Sequence, residues 1–376
     1  MEREGWPRSR IDEALAAARG ADHRFDDGTV MGSMCTQPHD AALEAYSRFL
    51  PTNLGDPEHF PGTARLEHDV LADIADLTGA AGADYVRFLT GGTEANLLAC
   101  YQAREATGKR DVVVSDAGHF SFEKAARLLG MRLVRVPCGE DLRSDPKALA
   151  DAITDDTALV VAIAGSTELG LVDDVAAIAA AAHAAGVRCH VDGAFGGYVL
   201  PFMDGPAWDL GVPGVTSVAL DPHKMGMAVV PAGALAVADA ADWDRTAVET
   251  GYVSTKNQST LMGTRPGAAA ASVWAAHRAL GRAGYEAVVA TCLENARRLA
   301  AGLEAQGAKL IAQPELNVVT FQDGDAAATH AALAQAGFRL NVVPRFEALR
   351  IVVGPHVTAD VVERFLAAHA RLRVAP

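Results

Sequence analysis

The chain has 376 residues, half of them hydrophobic, and a formal net charge of −14. That length can bury a large core and leave room for a second, smaller domain, while the acidity argues against nucleic acid or an anionic membrane as partner. No apolar run reaches the roughly 18 residues of a membrane span, the first residues lack an apolar signal core, and Cys35, Cys100, Cys138, Cys189 and Cys292 are odd in number and lack metal-site spacing, so a cytoplasmic protein with free thiols and no metal is expected.

Residues 1–55 read as an N-terminal segment of short helices, with amphipathic stretches at Ile11–Arg19 and Ala41–Leu50. Leu66, Val70, Leu71, Ile74 and Leu77 repeat at helical spacing. Strands and helices then alternate: strands at Tyr85–Leu89, Val112–Ser115, Arg132–Val136, Ala158–Ile163, Val187–Val191, Ser217–Leu220 and Ala234–Val237, with helices at Glu94–Ala106, Ser121–Leu129, Leu149–Ile153 and Val175–Ala185. Continuous apolar strands separated by helices predict a mostly parallel α/β sheet covered on both faces. Such sheets bind ligands beyond the carboxyl ends of their strands. After a loop at 250–266 come two long helices, 268–280 and 285–305, then strands near Asn317–Gln322 and Leu349–Val353 and a closing helix Ala359–Arg371. The expected division is 1–55, a large domain 56–266, and a small C-terminal α+β domain 267–376.

Four segments carry chemistry. Thr90-Gly91-Gly92-Thr93 lies between a strand and a helix, where glycines admit an anion to free helix N–H groups; an ordinary glycine turn with a threonine cap reads the same way. His119 follows the second strand and suits either a ring stacked on an aromatic cofactor or a helix cap. Asp192 ends a buried-looking strand, where a carboxylate needs a cation such as a protonated pyridine nitrogen, or else caps a turn; Ala194, on the same side, is small enough to support a ring. Lys224 stands at the polar end of the strand Ser217–Leu220. The chain has only six lysines among its 33 basic residues, and a primary amine that can lose its proton is what Schiff-base chemistry requires. Phosphate cup, stacking ring, pyridinium partner and amine, in that order, point to pyridoxal 5'-phosphate (PLP).

These motifs resemble the group II PLP-dependent amino-acid decarboxylases, and among them the archaeal-type L-tyrosine/L-aspartate decarboxylases, near the sphingosine-phosphate lyases. The resemblance runs from Asn53-Leu-Gly-Asp-Pro-Glu-His-Phe-Pro-Gly-Thr and Thr90-Gly-Gly-Thr-Glu-Ala-Asn through Gly118-His-Phe-Ser-Phe-Glu-Lys-Ala and Gly165-Ser-Thr-Glu-Leu-Gly. It continues in His190-Val-Asp-Gly-Ala-Phe-Gly-Gly, Asp221-Pro-His-Lys-Met-Gly-Met, Gly263-Thr-Arg-Pro-Gly and Leu349-Arg-Ile-Val-Val-Gly-Pro-His, nearly the whole chain. It implies the PLP-dependent transferase fold of type I, a cytoplasmic homodimer with a shared site, and α-decarboxylation of a tyrosine- or aspartate-like L-amino acid to its amine and CO₂. Another PLP reaction on the same scaffold (carbon–carbon cleavage or decarboxylation-coupled oxidation) is the alternative, with a non-catalytic binding protein a weaker one.

By resemblance Lys224 bonds the cofactor, Asp192 pairs with its pyridine nitrogen and His119 stacks on its ring. Gly91, Gly92, Thr93 and His223 hold the phosphate, joined by Thr264 in a neighbouring subunit's site, and Thr167 lies near the ring. Arg350 takes the substrate carboxylate; as a bare sequence position it equally reads as a surface arginine on an edge strand. Asn53 and His59 belong to the mouth of the site, Asn53 also reading as a turn residue. Tyr252 or His119 returns the proton to Cα, although Gly251 stands where the family has Pro, and Tyr252 also suits substrate contact or packing. Gly193 replaces the family's Ala, which loosens the cofactor floor. Arg265 offers a second cation for an acidic side chain, or a dimer contact.

Overall fold

The computed structural model describes residues 1–374, so the last two residues of the expected C-terminal unit lie outside the described residues. Three helices come first: α1 (Arg8–Ala21), α2 (Asp40–Phe49) and α3 (Pro61–Thr78). There follow β1 (Val86–Leu89), α4 (Gly92–Thr107), β2 (Asp111–Ser115), α5 (Ser121–Leu129), β3 (Arg132–Val136), α6 (Pro146–Asp151), β4 (Thr157–Ile163), α7 (Val175–Ala184), β5 (Arg188–Asp192), β6 (Val215–Leu220) and β7 (Gly233–Val237). These strands form one seven-stranded sheet in the order β1-β7-β6-β5-β4-β2-β3. Strands β6, β5, β4, β2 and β3 pair in parallel, and β7 runs against both β6 and β1. The carboxyl ends of β1, β2, β4, β5 and β6 therefore open on one edge, where the crossovers place their loops.

Strand β4 is buried at all seven positions, as its unbroken apolar run requires of a strand covered on both faces. Helix α4 lies over the sheet with Ala95, Leu98 and Ala99 inward, and α3 covers the other end through Val70 and Ile74. Helix α1 behaves differently: it buries none of its residues, and its apolar positions Ile11 and Leu15 are exposed.

Beyond β7 lie α8 (Asp242–Thr246), a hairpin of β8 (Val248–Glu249) and β9 (Asn257–Gln258), and α9 (Gly267–Ala305). The two long helices expected at 268–280 and 285–305 are one element broken at Gly281, whose φ of 59° suits glycine. The first half of α9 packs on the large sheet through Ala269 and Val273; the second turns Ala296, Leu299 and Leu303 to a second core. That core is built on β10 (Lys309–Leu310), β11 (Val318–Gln322), α10 (Ala326–Gln335), β12 (Asn341–Val343), β13 (Ala348–Val352) and α11 (Ala359–Val374). Its antiparallel sheet has the order β10-β11-β13-β12. No helix among the described residues is long and apolar enough to cross a membrane.

One N-terminal stretch ties the two cores together. The carbonyl of Met31 accepts from Val352 N at 2.7 Å, the amides of Met31 and Gly32 donate to Arg339 O, and Thr36 Oγ1 donates to the Lys224 carbonyl at 2.7 Å.

Candidate active site

A cavity of about 290 Å³ lies at the carboxyl edge of the large sheet, just under the usual size of ligand pockets. Each strand that opens there delivers one part of its wall. After β1, Gly91 N-caps α4 with φ 152°, and a Cβ on it would come within 2.9 Å of His223 Cε1. A Cβ on Gly92 would stand 2.8 Å from Ala194 Cβ and 3.1 Å from Asp221 Oδ2. Bare backbone at both positions keeps the start of α4 open to the cavity, which Thr93 also lines. Glu94 braces this turn: its Oε2 accepts from Thr90 N and Thr90 Oγ1, both at 2.8 Å.

The loop after β2 brings His119 to the wall. Its Nδ1 accepts from Ser121 N at 3.2 Å at the start of α5, while the residue lines the cavity. Burial lowers its pKa, with the Asp192 charge opposing. After β4, Thr167 lines the cavity and its carbonyl accepts from Arg350 Nη1 at 2.8 Å. At the end of β5, Asp192 is 7 % exposed; its Oδ1 accepts from Ala194 N at 3.2 Å and its Oδ2 from Asn96 Nδ2 at 2.9 Å.

After β6 come Asp221, His223 and Lys224. Lys224 Nζ lies 3.0 Å from Asp221 Oδ2 and is the cavity's one lysine. Burial pulls the amine's pKa down, but the charges of Asp221 and Asp192 outweigh it and hold the pKa above its ordinary value. His223 Nδ1 accepts from Ala232 N at 3.0 Å, which leaves the proton of the neutral ring on Nε2.

Arg350 is not a surface arginine on an edge strand. It lies on β13, between β11 and β12, and is 7 % exposed. Besides Thr167 O, its Nη2 donates to Gly32 O at 2.8 Å, and Nε is buried without a hydrogen-bond partner. No carboxylate among the described residues forms an ion pair with it, and burial pulls its pKa below the ordinary value. The guanidinium is thus buried and held by two carbonyls.

Gly91, Gly92, Thr93, His119, Thr167, Asp192, Ala194, His223 and Lys224 are thus gathered around one cavity. Asn53, His59, Tyr252, Thr264 and Arg350 are not among the residues that line it; Arg350 reaches its wall only through the carbonyl of Thr167. Asn53 is a turn residue, its Oδ1 accepting from Gly55 N at 2.7 Å, and it bridges to Pro266. His59 and Thr264 are exposed, and Tyr252, on the loop between β8 and β9, is 90 % exposed. The segments that carry them are joined: Ser254 bonds Asp56, and Gln258 Nε2 donates to Gly55 O at 3.3 Å.

Two expectations are corrected. Arg265 is not a spare cation, because its guanidinium pairs with Glu67 and donates to Leu54 O at 3.0 Å. Nor does Gly193 loosen the floor: a Cβ there would stand 2.8 Å from both Ala219 O and Trp208 Cζ3, so the buried Trp208 ring fills the space an alanine methyl would take. Gly193→Ala is expected to destabilise the cofactor-free protein by about 1–3 kcal/mol in urea unfolding, as overpacking does; an unchanged midpoint would show that Trp208 yields.

Sequence reasoning assigned no role to Asn96, Ser121, His190 or Asp221. The signal for two of them was periodicity: His190 is two residues before Asp192 on one strand, hence on the same face, and Asn96 is one turn into α4 from Gly92.

A cup, a ring, a carboxylate and an amine delivered by successive strand ends of a mostly parallel sheet define a PLP-dependent enzyme of fold type I. The pyridoxal-dependent decarboxylase conserved domain matches residues 51–323. The chain is 42 % identical over 373 residues to a probable L-tyrosine/L-aspartate decarboxylase of Methanocella arvoryzae, covering 98 % of each. It is 38 % identical to a probable L-aspartate decarboxylase of Archaeoglobus fulgidus, over 95 % of this chain and 97 % of that one. Among solved structures, a sphingosine-1-phosphate lyase of Burkholderia pseudomallei superposes with a TM-score of 0.90 at 27 % identity, over 100 % of this chain and 92 % of that one. A glutamate decarboxylase of Lactobacillus brevis, 21 % identical with a TM-score of 0.90 over 100 % and 94 % of the two chains, shares the fold. The chain belongs to the pyridoxal-dependent decarboxylases: it is a PLP-dependent carboxy-lyase acting on an amino acid.

Proposed function

We propose that the chain removes the α-carboxylate of a tyrosine- or aspartate-like L-amino acid as CO₂ and leaves the amine. The observation that carries this reading is Arg350, buried, without an ion-pair partner and bonded through Nη1 to the carbonyl of Thr167, which lines the cavity that holds Lys224. The donor set suits PLP: the Gly91–Gly92 cradle admits a phosphate where any side chain would collide, Asp192 offers the pyridine nitrogen a buried anion, and Lys224 offers the aldehyde a primary amine.

In this reading Gly91, Gly92, Thr93 and His223 hold the phosphate, His119 and Ala194 flank the ring, and Thr167 lies at its edge. When bound, the cofactor supplies a sink for the electron pair left as the bond between Cα and the carboxylate breaks. The protein's part is orientation and charge. Asp192 keeps a proton on the pyridine nitrogen. Arg350 grips the carboxylate and fixes which bond at Cα stands ready to break. Lys224 would hold the cofactor through its side-chain amine, which lies 3.0 Å from Asp221 Oδ2. His119 at the cavity wall and Tyr252 on the exposed loop are the two candidates for returning a proton to Cα, and the turnover of Tyr252→Phe assigns the role to one or the other.

An adjoining cavity lined by Phe120, Arg135, Glu168 and Arg345 would receive the substrate's far end. Arg345 lies 3.5 Å from Glu168, whereas Arg135 donates only to the carbonyls of Ser115 and Gly118. Phe120 suits a phenol ring and Arg135 a second carboxylate. We further propose a cytoplasmic homodimer, in keeping with five free cysteines and with apolar exposure of Val248 (63 %), Leu261 (42 %) and Met262 (49 %) around the loop of Tyr252. Asn53, His59 and Thr264 then belong to the mouth that the second subunit completes.

A panel of L-amino acids assayed for CO₂ tests the reading: tyrosine or aspartate is expected to give CO₂ and amine in equal amounts. Aldehyde in place of amine would mark decarboxylation-coupled oxidation. Arg350→Leu is expected to lower kcat/KM by about 10² or more, as loss of a buried bidentate partner does. Loss confined to the cofactor's binding, with kcat/KM of the loaded enzyme unchanged, would remove Arg350 from the substrate's carboxylate.

A further inference from the structure

We infer that Asn96 is a positioning residue of the cofactor site, its amide held from behind by His190 and Ser217 so that it joins Asp192 to His119 in one directed chain of hydrogen bonds. Asn96 is 1 % exposed. Its Nδ2 stands 2.9 Å from Asp192 Oδ2 and 2.9 Å from Ser121 Oγ, and its Oδ1 stands 3.0 Å from His190 Nε2. His190 Nδ1 in turn lies 2.9 Å from Ser217 Oγ, and Ser121 Oγ lies 2.9 Å from His119 Nδ1.

The directions from Asp192 through Asn96 to His190 follow from one charge. An ionised carboxylate only accepts, so Asn96 must turn its NH₂ to Asp192 and its carbonyl to His190. His190 Nε2 must then carry the proton. Burial holds this imidazole neutral, with its pKa lowered to about 4, so it has one N–H to give and Nδ1 accepts from Ser217. On the other side, the second amide hydrogen goes to Ser121 Oγ; His119 Nδ1 accepts from Ser121 N, so it carries no proton and the Ser121 hydroxyl also donates to it. The remaining N–H of His119 is therefore on Nε2. A buried amide on a helix face otherwise built from Ala95, Leu98 and Ala99 would be costly if it served packing alone. Satisfied at every atom, it fixes the angle of the Asp192 carboxylate and the tautomer of His119 together.

The inference rests on the reading that Asp192 meets the pyridine nitrogen, and two measurements separate them. In uniformly ¹⁵N-histidine-labelled holoenzyme, long-range ¹⁵N–¹H spectra should show His190 neutral with its proton on Nε2; a proton on Nδ1 would mean a reversed Asn96 amide and would overturn the chain. This measurement needs no variant. The second is the PLP dissociation constant, by absorbance titration of cofactor-free protein whose far-UV circular dichroism matches the wild type. His190→Leu removes the donor and should weaken PLP binding by up to about tenfold, the upper worth of a neutral hydrogen bond, whereas His190→Gln keeps a donor and should stay within about threefold. Equal constants for the two variants would overturn the positioning role. Asp192→Ala is the control: wild-type affinity there would defeat the underlying reading, while weak binding there beside normal binding in His190→Leu defeats only the chain through Asn96.

Discussion

Lys224→Ala is expected to fold, to form no covalent bond with PLP, and to release CO₂ at a rate lowered by on the order of 10⁴ or more, as removal of a nucleophile does. No other lysine lines the cavity, so nothing replaces the lost amine. Lys224→Arg separates two roles. It retains a cation for Asp221, which is 2 % exposed and already has one oxygen without a hydrogen-bond partner, but it supplies no amine able to lose its proton. The alanine variant should therefore be the less stable, by on the order of 3 kcal/mol for an uncompensated buried charge, while both lack turnover. Mass spectrometry after borohydride reduction reads the covalent bond, and urea unfolding of the cofactor-free proteins reads the stability. A Lys224→Ala protein that keeps both the covalent cofactor and full turnover would remove Lys224 from the mechanism.

Asp192→Asn should lower kcat by on the order of 10²–10³, the usual loss when one preorganised electrostatic partner is neutralised. The side chain keeps its size, so loss of packing contributes little. On the proposed reading, what disappears is the charge that would hold a proton on the pyridine nitrogen, and with it the advantage of that ring as a sink. The replacement amide must also place an NH₂ against either Ala194 N or Asn96 Nδ2, where two donors now meet. Weaker cofactor binding, read by titration of the cofactor-free protein, should accompany the fall in kcat, read at saturating PLP. An Asp192→Asn enzyme with wild-type kcat would show that the nitrogen finds its partner elsewhere.

Much of the architecture was legible because both sheet and site follow short-range rules. Unbroken apolar strands separated by helices gave the parallel sheet, and the chemistry-bearing residues stood just past the strands' ends, where such sheets gather them. What escaped depends on residues far apart in sequence. Nothing near Arg265 reveals that Glu67 takes its charge, and nothing beside Gly193 reveals the Trp208 ring. Arg350 reads as an edge position until β12 (Asn341–Val343), too short and too exposed to register as a strand, pairs outside β13. The apolar spacing of α1 is a true helix signal, but burial is a property of what packs against a helix, and in this chain nothing does.

The Met31–Thr36 stretch makes two remote parts of the fold answer to one short segment. Arg350 is held by a carbonyl 318 residues away, and Thr36 reaches across 188 residues to the backbone of Lys224. A substitution that shifts this segment would therefore disturb the guanidinium and the lysine together, although neither is its neighbour in sequence.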